Sequence, residues 1–231
     1  MHTRLPLGIK LRSENGTRID TLESGGVCIR DKGLEEWIGM AHPPELQHLI
    51  DWHQIYAVLT KYSRGLDRLD LDLMKEVYWP DGTDDHGVFR GNAHEYCAFM
   101  IDFARQSWEI TQHNIGNVSI DIDDNNAFSE CYLTAYHRIT GDPEKIKDLF
   151  GNAHYDRYKD AGAEKFDYIH GGRYLDTLEK RDGVWRIFSR VVTMEWNIVQ
   201  PTSDVWKEGV LSTLEAIGTR DRTDLVYRKG Q

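Results

Sequence analysis

Between Lys61 and Gly87 the chain reads KYSRGLDRLDLDLMKEVYWPDGTDDHG, seven carboxylates and one imidazole in 27 residues. Most acids of a globular chain are solvated, so a chemical role falls to one whose position solvation does not explain. Asp70 and Asp72 stand where a side-chain oxygen caps a short helix by accepting from its free amides. Asp81 and Asp84 follow Pro80 and Gly82, and read as turn residues bonding to their own backbone. Asp67 differs. Steps of 3.6 residues back from it pass Ser63, Leu59 or Thr60, Tyr56, Trp52 or His53, and Leu49. Asp67 thus ends a mostly apolar stripe, where an unpaired carboxylate is costly unless it meets a donor or a cavity.

Its partner in proton transfer would be a histidine, and three compete: His86 at the end of the acidic run, His113 in TQHNIGN, and His137 in TAYHRIT. His137 shares its strand phase with Cys131, Leu133, Ala135 and Ile139, so it points inward. His113 has the opposite parity to Val118, Ile120 and Ile122, and a bulge near Gly116 would bring it to their face. One cation also stands out. Arg190 shares a strand face with Phe188, Val192, Met194 and Trp196, and a permanent guanidinium among them needs an anion, either a structural acid or a substrate oxygen. Asp85 and His86 lack HxH or HExxH spacing around them, so no metal is expected.

Helical periodicity begins at HPPELQ and runs to Asp67. A second short helix, DLDLMKEVY, stops before Trp79-Pro80, because the residue before proline avoids helical geometry. The segment PDGTDDHGVFRG reads as a loop, and NAHEYCAFMIDFARQSW as a third helix with Tyr96, Phe99, Met100 and Phe103 apolar. After Trp108 the period falls toward two. NVSIDID and FSECYLTAYHRIT form a hairpin around DDNNA, and Asp182-Gly183 marks another between FDYIHGGRYLDTLEK and VWRIFSRVVTMEW. This order predicts an α+β fold, with three N-terminal helices covering one face of an antiparallel sheet. Residues 1–43 read as an accessory arm with a hairpin near Ser24, Gly25 and Gly26 and a short helix at GLEEWIGM. Residues 44–199 form the domain, interrupted by a charged, irregular loop over 141–165, and residues 200–231 form a polar tail.

The 231 residues are 40% apolar and 29% charged with a formal net charge of −10, a balance that disfavours nucleic-acid binding, which needs a clustered positive field. No apolar run approaches membrane-spanning length and no leader pattern is visible, so a cytoplasmic location is expected. Three scattered cysteines without CxxC spacing suit buried, reduced thiols. Seven Trp and eleven Tyr suit an aromatic-lined cavity as well as a core. VVTMEW is hydrophobic on both faces, from which a homo-oligomer, a trimer or dimer, is expected.

Taken in order, YSRGLDRLD, YWPDGTDDHGVFRG, TQHNIGN, YLTAYHR and GGRYLDTLEKRDGVWRI resemble the SnoaL-like branch of the nuclear transport factor 2-like superfamily over about Glu45 to Trp196. The resemblance implies a cone-shaped α+β barrel, three helices on a strongly curved sheet around one deep apolar pocket. It also implies the cofactor-free chemistry of polyketide cyclases, scytalone dehydratase, lindane dehydrochlorinase, steroid isomerase-like enzymes and a lyase of lignin-derived diarylpropanes. Asp67 matches the pocket aspartate of the dehydratase and dehydrochlorinase members and His113 their catalytic histidine. His137 lies near a second pocket histidine, His86 where the dehydratase has a tyrosine, and Arg190 matches a pocket arginine. The expected catalytic set is therefore Asp67, His113 and Arg190, with Tyr62, His86, His137, Tyr174 and Trp196 binding substrate. The expected reaction is a lyase elimination on a small, uncharged or phenolic aromatic molecule. The alternatives are a cyclase or isomerase using the same residues, or a non-catalytic binding or assembly module.

Overall fold

The computed structural model describes residues 11–12, 18–21, 27–30, 43–159, 165–206 and 208–228, in two compact units, Met1–Gln47 and His48–Gln231. The first unit holds a three-stranded antiparallel sheet, β1 (Leu11–Arg12), β2 (Arg18–Thr21) and β3 (Val27–Arg30). β2 and β3 pair with Thr21 opposite Val27, on either side of the expected hairpin glycines. The helix expected at GLEEWIGM lies outside the described residues.

The larger unit begins within α1 (Pro44–Asp67), followed by α2 (Leu71–Glu76). The buried face of α1 runs Ile55, Val58, Leu59, Tyr62 and Leu66, while Leu46 and Leu49 are exposed. The apolar stripe is therefore rotated from the one drawn through Leu49 and Tyr56, and the spacing 55-59-62-66 defines it. Asp70 caps α2 by accepting from the Leu73 amide, as expected. At Gly65 a Cβ would lie 3.0 Å from the Met74 backbone nitrogen, so α2 packs directly on this turn of α1.

The segment read as a loop is instead β4 (Tyr78–Asp85) and β5 (Arg90–Asn92), followed by α3 (Ala93–Ser107). The proline and glycines that suggested a loop sit at an irregularity of β4, where Gly82 approaches the Phe188 carbonyl so closely that a Cβ would lie 2.9 Å from it. Next come β6 (Trp108–Asp123) and β7 (Asn126–Thr140), then β8 (Lys165–Arg181) and β9 (Val184–Pro201). The six strands form one curved, unclosed sheet in the order β5-β4-β9-β8-β7-β6. Every pairing is antiparallel except β4 with β9, which is parallel. The fold is thus α+β as expected, with a mixed rather than purely antiparallel sheet.

Two other segments depart from expectation. Residues 141–165 carry α4 (Pro143–Phe150) and α5 (Asn152–Tyr158). Asp142 caps α4 with Pro143 in its first turn, the usual start of a helix, and Phe150 and His154 pack against Tyr168 and Phe166 of β8. The polar tail forms 3₁₀ turns at Gly209–Thr213 and Leu225–Tyr227. It packs back through Arg222 and Tyr227, which both donate to Asp70, and through Arg220, which donates to the Ala104 and Trp108 carbonyls.

Inward side chains of β9 do not keep one parity. Register shifts opposite Thr177/Leu178 and Gly171/Gly172 each insert an extra residue. Trp185 and Ile187 face in, then Arg190 and Val192, and Trp196 emerges on the outer face, 48% exposed and stacked over Gly171. Arg190 is fully buried. Its Nε and Nη2 donate to both oxygens of Asp176 at 2.7 Å, and its guanidinium lies 4.1 Å from the ring centres of both Tyr62 and Tyr174. An uncompensated buried charge is costly. Asp176→Ala should therefore lower unfolding free energy by about 3–5 kcal/mol in denaturant titration. The double replacement Asp176→Leu with Arg190→Met should recover much of that loss.

Candidate active site

Asp67 is the last residue of α1 and is 8% exposed. A carboxylate at the negative end of a helix dipole is doubly disfavoured there, by burial and by the field. His113 answers both. Its backbone N–H donates to Asp67 Oδ2 at 3.0 Å and its Nδ1 to Oδ1 at 2.6 Å. The backbone donor is free because β6 is an edge strand. The imidazole faces inward because the register of β6 shifts between Gly116 and Val118, as the alternation of the sequence required. Asn117, at φ 46°, takes the left-handed conformation at that bulge. Burial pushes the Asp67 carboxyl up, but the imidazole hydrogen bond, the charge of His113 and its amide outweigh it and hold Asp67 below its ordinary value. With Nδ1 committed to a carboxylate, Nε2 is left as the free nitrogen of the ring.

On the inner side of His113 lies a cavity of about 340 Å³ walled by His86, Tyr96, Trp108, His137, Tyr168 and His170. Leu66, Phe103, Leu133, Tyr174, Val192 and Met194 complete its apolar surface. On the other side, Asp67 and His113 border a second, more polar hollow of about 420 Å³, to which Ser63, Arg64, Arg68 and the tail residue Asp224 contribute. The dyad is therefore the partition between an aromatic chamber and a polar groove.

Of the residues expected from sequence, His86, His113, His137 and Tyr174 meet in the aromatic chamber, with Asp67 directly behind His113. Arg190 does not line it. Its ion pair with Asp176 is the structural alternative, and it supports the wall from beneath Tyr62 and Tyr174. Tyr62 is fully buried one layer back, its hydroxyl 2.9 Å from that of Tyr96 and 3.4 Å from His86 Nε2. Trp196 is removed to the outer face by the second β9 shift. Among the described residues, no group of three or more His, Cys, Asp or Glu side chains is placed to hold a metal ion.

Five aromatic or histidine side chains of the wall, Tyr96, Phe103, Trp108, Tyr168 and His170, were not picked out as site residues in sequence, and neither was the buried acid Asp84. His170 shares its phase on β8 with Phe166, Tyr174 and Leu178, so strand alternation alone could have found it. Asp84 is 1% exposed, accepts from Tyr78 Oη at 2.7 Å and bonds His86 Nδ1. Its signal is the D-x-H spacing, which puts both side chains on one face once the segment is a strand.

His137 stacks on His170 with ring centres 5.2 Å apart, and His113 meets His137 edge-on at 5.2 Å. Burial holds His137 well below its ordinary value, reinforced by the charges of His113 and His170. His170 is pushed down to about 4 by burial, then by His113 and His86. Both rings are neutral at pH 7, so His137 and His170 present uncharged donors and acceptors to the chamber there. A histidine near 6.5 when unfolded and about 4 when folded contributes stability that is full above 6.5 and lost as pH falls toward 4. The loss for His170 is on the order of 3 kcal/mol. Denaturant midpoints should fall across this window, and His170→Gln should flatten the fall.

The family model described as a SnoaL-like domain matches residues 47–191. No curated protein matches the chain. Among solved structures, a scytalone dehydratase-like protein from Novosphingobium aromaticivorans is similar at 18% identity and TM-score 0.52, covering 68% of this chain and 91% of that one. The hexachlorocyclohexane dehydrochlorinase LinA-type3 from Novosphingobium barchaimii is similar at 14% identity and TM-score 0.54, covering 68% and 94%. At such identities these likenesses speak for the fold. The family match spans well over half of the sequence, and the chain belongs to the SnoaL-like branch of the nuclear transport factor 2-like superfamily.

Proposed function

We propose that this protein is a cofactor-independent lyase that removes a proton and a leaving group from a small aromatic molecule. The observation that carries the reading is the 2.6 Å contact between Asp67 and His113 in the wall of an aromatic chamber. Asp67 fixes the tautomer, so His113 Nε2 is the base. The carboxylate then stabilises the imidazolium formed when the proton arrives. Exclusion of bulk water strengthens each of these contacts.

A chamber of about 340 Å³ is the size of a one- or two-ring ligand. Its neutral histidines favour a hydroxylated or phenolic substrate without net charge. Electrons released at carbon would enter the conjugated ring system as the leaving group departs, which needs no external electron acceptor. The similar dehydratase-like and dehydrochlorinase structures bear the names of eliminations. Dehydration is the simplest such reaction, and deformylation of a lignin-derived diarylpropane is a larger one of the same class. No helix among the described residues is long and apolar enough to cross a membrane.

Pure protein incubated without cofactor with a panel of phenolic and hydroxylated aromatic compounds should convert at least one of them, with products read by mass spectrometry. On that compound His113→Ala should lower kcat roughly 10²–10⁴-fold. Asp67→Asn should be severely impaired while remaining folded, because an amide does not stabilise the imidazolium. Unchanged turnover in both variants would reject the assignment.

Self-association belongs to the same proposal. Phe128, Tyr132, Val191, Trp196 and Ile198 are large apolar side chains exposed along β7 and β9, and covering them against a second copy would remove that surface from water. Sedimentation at micromolar concentration should show a dimer or trimer, and a monomer would reject it.

A further inference from the structure

Elimination of hydroxide or an alkoxide needs a proton donor as well as a base, and the elimination reading leaves the donor open. Several groups are near. Arg190 is committed to Asp176 and two tyrosine faces and does not reach the chamber. The phenols of Tyr62, Tyr96 and Tyr174 are buried and pushed above their ordinary values, which makes them poor donors. Among the described residues, His137 and His170 have no carboxylate partner to carry a positive charge.

His86 has one. Its Nδ1 bonds Asp84 Oδ1, and Asp84 is held in turn by Tyr78 Oη at 2.7 Å. The ring stacks on Tyr96 with centres 4.3 Å apart, and its backbone is pinned by the amide bond to the Phe89 carbonyl at 3.0 Å. Asp84 pairs directly with Arg190 across β4 and β9, and Arg190 with Asp176 across β9 and β8, so the dyad is anchored in a row of charged residues three strands wide. The groups facing His86 are Asp84 and Asp85 from β4, Tyr62 from α1, whose hydroxyl lies 3.4 Å from Nε2, Tyr96 from α3, and Tyr174, His170 and Asp176 from β8. The chamber thus holds two histidines, each bound through Nδ1 to its own buried carboxylate, on β6 and at the end of β4.

We propose that His86, positioned by Asp84, is the catalytic acid that protonates the leaving oxygen while His113 takes the proton from carbon. This rests on the elimination reading. In the step, the C–H bond breaks to His113 Nε2, its electron pair forms the carbon–carbon double bond, and the C–O bond breaks as the oxygen takes the proton from His86 Nε2. Water or alcohol leaves. His113 ends protonated and His86 neutral, and exchange with solvent then takes the proton from His113 and returns one to His86.

The test uses the full chain and two probes, a β-hydroxy aryl ketone and the corresponding β-chloro ketone, which give the same enone. Chloride departs without a proton and hydroxide does not. His86→Gln should lower kcat/KM on the hydroxy ketone by about 10²-fold or more and affect the chloro ketone far less, so the ratio between the probes rises. His113→Ala should lower both and leave that ratio near its wild-type value. Asp84→Asn should raise the same ratio between the probes, because an amide does not stabilise the imidazolium; a structural role would leave the ratio in place. If His86→Gln lowers both probes equally or neither, the acid assignment is overturned and the base assignment stands. If wild type converts neither probe, or His113→Ala keeps both, the elimination reading falls and this proposal falls with it.

Discussion

A carboxylate at the C-terminal end of a helix stands in an unfavourable field, and much of this fold is arranged around satisfying one. Asp67 accepts two hydrogen bonds from His113, and both exist because β6 is an edge strand with a free amide and a bulge that turns its imidazole inward. The contact joins the end of α1 to the rim of the sheet, and so fixes where the helical layer meets the strands. Position and reactivity have one cause here. The hydrogen bond that makes a buried Asp67 tolerable also leaves the remaining ring nitrogen as the only basic one.

The opposite wall is held by a different device. Arg190, fully buried, ties β9 to β8 through Asp176 and receives the faces of Tyr62 and Tyr174. Those rings form the floor on which Tyr96 and His86 sit. A guanidinium that does not line the chamber still supports its wall, because the faces of Tyr62 and Tyr174 lie on its charge. The sequence marked Arg190 as an unusual cation and left open whether its anion was an acid or a substrate. Its immediate neighbourhood, with Asp176 directly opposite on β8, resolves the choice.

What was legible in the sequence follows a physical pattern. Helix ends, the two β hairpins and the need for a bulge near Gly116 were all visible, because each depends on local chemistry: caps, turn residues and alternation. The strand character of Tyr78–Asp85 was hidden by Pro80 and Gly82, and with it the pairing of Asp84 with His86. Trp196 was assigned to the wrong face because its strand slips twice, and alternation counts correctly only between slips. The tail was invisible as a structural element, since its hold on Asp70 through Arg222 and Tyr227 joins residues more than 150 positions apart.

The slips also decide how related chains can diverge. Along β6 the residue at Asn117 is a spacer, and His113 faces the chamber because that spacer is present. Loss of that single residue, with the rest of the hairpin kept in register, would carry Gln112 or Asn114 into the wall and put the imidazole on the outer surface. An amide would replace a base, with the side chains of the other strands still in their places. For this architecture a change in strand length is a change in chemistry, and homologous positions are better matched by their distance from the nearest slip than by residue identity.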